Sequence, residues 1–129
     1  MNNESPTIAT DEVLARFVIS KRWVRNDGTL KPNAFIPSDL GLSVTRHKGF
    51  CESELWQTGF AVAIQRGKML FGRADFKCGT ATRLSLSVRL NALPDNPNHV
   101  TISDWPQEKS EQKILAMEIA ANATFLAKP

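Results

Sequence analysis

Tyrosine is missing from this sequence, cysteine occurs twice, and no apolar run is longer than Phe60–Ile64. Five residues are far too few to span a bilayer. The N-terminus, MNNESPTIATDE, is polar and acidic, not a basic stretch followed by an apolar one, so no export signal is read there and the cytoplasm is the expected compartment. Two cysteines, Cys51 and Cys78, fit that setting as reduced thiols better than as a structural disulfide. No P-loop, dinucleotide-binding glycine fingerprint, HExxH, CxxC, GxSxG or EF-hand loop is present, and several familiar enzyme and cofactor classes lose standing with them. No repeat, low-complexity tract or linker divides the chain.

What remains is an ordinary globular balance. The chain has 129 residues, 42% of them hydrophobic and 22% charged. That length suits one domain with a core large enough to fold without disulfide or metal. The expected division is a loose tail over 1–12 and a single α+β domain over 13–129. The net charge of +3 is unevenly spread: residues 1–15 carry −3, residues 16–89 carry +8 and residues 90–129 carry −2. A basic centre offers a face for an anionic partner, or is screened by the acidic ends folding back on it.

Periodicity supplies the elements. Val13–Arg25 is rich in β-branched and aromatic residues and reads as a strand, with a helix as the rival, before the turn Asn26-Asp27-Gly28. Pro32 and Pro37 make 30–42 edge or loop, and 41–46 is a short strand with Leu42 and Val44 on one side. Residues 52–66 have helical spacing at Trp56, Phe60, Ala63 and Ile64, acids at the start and Gly67 as a stop; the alternative is a hairpin over 52–70. Met69–Lys77 and Thr82–Leu90 read as strands. In the second, leucine and valine alternate with Arg83, Ser85, Ser87 and Arg89. His99–Ser103 is a last strand. Asp104 stands as a helix cap, with Pro106 in the first turn and Gln107 as its capping-box partner. The helix it opens runs to about Leu126, burying Ile114, Leu115, Met117, Ala121 and Phe125. The sum is an α+β fold: a mostly antiparallel sheet of about five strands, a middle helix and a long C-terminal helix packed on it.

Four groups of residues bear on function. His47, Cys51, Cys78 and His99 are zinc-ligand types, but their spacing makes no motif, and no metal or other cofactor is expected. His99 begins a strand beside a polar loop, where an imidazole can take and give a proton; Ser43, Arg46 and His47 would join it as nucleophile, clamp and second base, and Arg16, Arg83 and Arg89 would hold a phosphate. Lys21, Arg22, Trp23 and Arg25 interleave an aromatic with cations. With Arg83 and Arg89 they would suit single-stranded nucleic acid. NAFIP, residues 33–37, is an apolar extended stretch for a protein partner. The expectation is a small cytoplasmic binding or accessory module, a subunit of a larger assembly, contacting a protein partner, a second copy or single-stranded nucleic acid through its basic central region, and no membrane. The alternative is a small enzyme acting on a phosphate-bearing substrate through His99.

Overall fold

In a computed structural model, which describes residues 7–129, the alternating segments assemble into one sheet of six antiparallel strands. In chain order the elements are β1 (Val13–Val18), β2 (Leu42–Arg46), α1 (Glu52–Gln65), β3 (Gly72–Lys77), α2 (Cys78–Arg83), β4 (Ser87–Leu90), β5 (His99–Ser103), α3 (Lys109–Ala121) and β6 (Thr124–Ala127). Single 3-10 turns at Lys21–Trp23 and Pro32–Phe35 lie between β1 and β2. The strands lie in the order β4-β5-β2-β1-β3-β6.

Residues paired across antiparallel strands share a face. One face carries Leu14, Phe76, Ala74, Leu42, Val44, Val100 and Ile102, and it builds the larger core with Phe35, Ala116 and Ile119. Phe35 and Phe76 meet edge to face, 5.6 Å between centroids. The other face is divided. Over β1 and β3, Ala15 and Phe17 pack with Leu55 and Ala63 of α1 and with Leu70. Over β2, β5 and β4, the same face presents Ser43, Thr45, His99, Thr101 and Arg89.

The middle helix is a helix and not a hairpin. Cys51 and Glu54 form a reciprocal capping box at its start, Glu54 accepting from the Cys51 N–H at 2.9 Å. Gly59 is needed inside it, because a Cβ there would lie 2.8 Å from the Phe17 ring. The helix approaches the sheet closely enough to offset the propensity that glycine forfeits.

Several boundaries differ from those read in the sequence. The first strand stops at Val18, where its register with Gly72 ends; Ser20 then caps the Lys21–Trp23 turn by accepting from Arg22 N–H. The strand expected from Met69 begins at Gly72. Residues 82–90 are not one strand: Arg83 closes α2, Ser85 turns at φ 65°, and only Ser87–Leu90 pairs. Asp104 does not cap a helix. It sits at φ 68° with its carboxylate bonded by Ser87, and α3 begins only at Lys109, with Gln112 reaching back 2.8 Å to the Pro106 carbonyl. The last helix ends at Ala121. Residues 124–127 make a sixth strand on β3, because Gly72 lets the Leu126 carbonyl approach to where a Cβ would lie only 2.2 Å from it.

The buried stripe of α3 is Gln112, Ala116, Ile119 and Ala120, while Ile114 and Met117 face outward at 60% and 52% exposure. Ala116 lets the helix lie close on Ala34 and Phe35, a contact that larger side chains would hold apart. The expected tail over 1–12 lies outside the described residues for 1–6. Its remainder is held in place: Ile8 is buried, the Thr10 and Glu12 carbonyls accept from Gly79 and Cys78, and Glu12 pairs with Arg46.

Candidate functional site

β1 and β2 pair only at Leu14–Arg46 and Ala15–Thr45, and then they part. Arg16 fills the opening. Its Nε donates to the Ala34 carbonyl at 2.9 Å and its Nη1 to the Ser43 carbonyl at 3.0 Å, so a side chain supplies bonds that a neighbouring strand would otherwise make. The guanidinium lies over the Trp23 ring, 5.1 Å from its centroid. Burial, reinforced by the nearby Arg66, pushes the Arg16 pKa down to about 10, so it stays charged at neutral pH. A guanidinium has five N–H donors. Arg16 spends two on carbonyls and has no carboxylate partner among the described residues.

The opening continues as a cavity of about 140 Å³ between the end of α1 and the loop before β5. Arg16, Arg66 and His99 line it with Ser43, Thr45 and Asn96. Phe17, Ile19, Val44, Val62 and Leu93 supply apolar wall. The loop is fixed from both sides: Asn96 donates to Thr45 Oγ1 at 3.0 Å, and Gln65 of α1 bonds Asp95. His99 Nδ1 lies 2.8 Å from the Asn91 carbonyl. A carbonyl only accepts, so Nδ1 carries the proton. Nε2, the ring's acceptor in that tautomer, makes no hydrogen bond among the described residues.

The sheet's two-residue period separates other expected partners from His99. Thr45 faces His99 across the strands, so Arg46 points to the opposite face, where it grips Glu12 at 2.6 and 2.9 Å. That bond raises the Arg46 pKa and lowers that of Glu12. His47 lies beyond the strand, with Nε2 3.0 Å from Asp75. Asp75 also accepts from Arg73, which is 2% exposed, forms a two-bond pair with Glu52 at 2.8 and 3.0 Å, and lies over Trp56. His47 is thus tied by a hydrogen bond to Asp75 and Arg46 by an ion pair to Glu12, away from the cavity.

The basic set is dispersed. Lys21 and Arg22 are exposed on their turn, and Trp23 is packed on the larger core beneath Arg16. Arg25 holds its own turn through the Leu30 carbonyl at 2.7 Å. Arg83 borders a separate, wider groove beside β6, and Arg89 is exposed on β4 two strands from the cavity. The zinc-type residues do not converge: Cys51 caps α1, Cys78 is buried against the Ile8 carbonyl, and His47 and His99 have the separate partners given above. Among the described residues no group of three His, Cys, Asp or Glu is placed to hold a metal, and no helix is long and apolar enough to cross a membrane.

His99, Ser43 and Arg16 are therefore the expected residues that the fold brings together. Arg66, Asn96 and Thr45 complete the site and were not anticipated. Arg66 is the C-cap of α1, and only its tertiary placement at the cavity gives it a role. Comparison of the chain with family models, with curated proteins and with solved structures finds no match, so the site rests on its own chemistry.

Proposed function

We propose that this chain is a small binding module for an anionic ligand, taken in the cavity between α1 and the uncovered half of the sheet. The observation that carries this reading is Arg16, a partly buried cation with unspent donors, no ion-pair partner among the described residues and a second arginine in the lining of the same cavity. Elsewhere in the sheet, buried arginines are neutralised by the chain's own acids. A desolvated charge without a partner is costly, and an incoming anion offsets that cost with charge-assisted hydrogen bonds.

The features weigh less well toward single-stranded nucleic acid. The uncovered strands offer serine, threonine, histidine and arginine but no aromatic for base stacking, and Trp23 has Arg16 on its ring. Acid–base chemistry at His99 is the second reading, favoured by the tautomer that leaves Nε2 as an acceptor at the cavity. The test is calorimetric titration of the protein with benzoate, phosphate, pyrophosphate and an oligothymidylate, repeated with Arg16→Met and Arg66→Ala. At least one small anion should bind the parent and bind each variant tenfold or more weakly, the loss of one charged hydrogen bond. Small anions that fail to bind at millimolar concentration, or that bind Arg16→Met as well as the parent, overturn the proposal.

A further inference from the structure

The lining of the cavity narrows the ligand to a chemical class, an inference that rests on reading the Arg16 cavity as an anion site. Three charged side chains stand at it: Arg16, Arg66 and Asp95. Counted over these three, the lining carries one net positive charge. A monoanion cancels it. A dianion leaves an uncompensated negative charge in a partly desolvated space beside Asp95, which is unfavourable.

The walls add a second requirement. Phe17, Ile19, Val62 and Leu93 add apolar surface to the lining. Apolar contact there gains about 25 cal/mol for each Å² removed from water, a term that a bare inorganic anion cannot collect. The volume sets the upper bound. At about 140 Å³ the space is close to the roughly 150 Å³ that accepts a benzene ring. Ser43, Thr45, Asn96 and His99 add polar groups to the same lining.

We infer that the ligand is a monocarboxylic acid whose apolar body is no larger than about six carbons, its carboxylate held by Arg16 and Arg66 and its body against Phe17 and Val62. The carboxylate takes N–H donors that Arg16 does not spend on the Ala34 and Ser43 carbonyls. Asp95, bonded by Gln65, sits at the rim and disfavours a more highly charged head.

Calorimetric titration of the full chain with acetate, butyrate, hexanoate, benzoate, decanoate, phosphate and phenyl phosphate tests this. Affinity should rise by up to about fourfold per added methylene from acetate to hexanoate, as burial of each methylene predicts. It should stop rising before decanoate, and phosphate and phenyl phosphate should bind at least tenfold more weakly than butyrate and benzoate respectively. Val62→Ser should weaken hexanoate several-fold more than acetate, which separates loss of wall contact from loss of fold. Hexanoate binding no better than acetate, or phenyl phosphate binding better than benzoate, overturns the inference while the anion site itself stands. Failure of every anion in the series overturns both.

Discussion

Two arginines on neighbouring strands show how differently one protein can treat the same side chain. Arg73 on β3 is enclosed by its own chain: Glu52 takes two of its N–H groups, Asp75 a third, and Trp56 covers the guanidinium. Burial pulls its pKa down, and the two carboxylates more than restore it, so the net shift is upward. Arg16 on β1 leaves the strand on the opposite face but is held in the gap between β1 and β2; it has carbonyls where Arg73 has carboxylates, and its pKa falls. The first arrangement is complete and serves the fold. The second is complete only in its backbone bonds, and no carboxylate among the described residues pairs with its charge. A buried charge marks a site when its neutralising partner is missing, whatever its depth.

The contrast can be broken from either side. The largest effect belongs to Arg73→Met. Removing one member of a buried pair leaves Asp75 uncompensated beside a half-buried His47, and urea unfolding should show a loss of about 3 kcal/mol or more. Arg16→Met removes no ion pair. It strips a donor from the Ala34 and Ser43 carbonyls and should cost about 1–2 kcal/mol, with anion binding reduced far more than stability. Equal destabilisation by the two variants would erase the distinction between them.

Acid sharpens the comparison further. Glu12 and Glu52 both have pKa values below the ordinary 4.5, each chiefly because an arginine hydrogen-bonds its charged form. Between the folded and unfolded values the unfolded chain binds more protons, so stability rises with pH there. That stability is present above about pH 4.5 and is lost as pH falls through the depressed folded values. Glu12→Gln should flatten this acid limb most, because Glu52 is 69% exposed and its pair is screened by water. Arg73→Met should remove the Glu52 share, and Arg16→Met should leave the limb unchanged. The smallest effect is expected from Lys21→Ala with Arg22→Ala. Both residues are exposed and bond nothing through their side chains among the described residues, so stability should move by less than about 0.5 kcal/mol, and small-anion affinity should hold.

The sequence discloses this molecule unevenly. The antiparallel sheet with a middle helix was legible because Leu42 and Val44 follow a local period, and because the acids at the helix start and Gly67 after its end are local signals. The sixth strand was hidden because Thr124–Ala127 is strand only through pairing with Gly72–Asp75, some fifty residues away. Asp104 misled because its carboxylate bonds Ser87 on the adjacent strand instead of a helix N–H. The site was half legible. His99 and Ser43 share a face by a two-residue period that the sequence carries, yet the same period sends Arg46 away, and that follows only once the register with β5 is known. Arg66 and Asn96 gain their roles from a helix end and a loop that approach only in three dimensions.

The parting of β1 from β2 has a mechanical side. β4, β5 and β2 form one plate and β1, β3 and β6 another, and two residue pairs join them directly. Arg16 is the rivet through the seam, fastened to Ser43 on the far plate and to Ala34 above it. A molecule taken into the proposed cavity would touch both plates at this joint, because residues of β1, β2 and β5 line it.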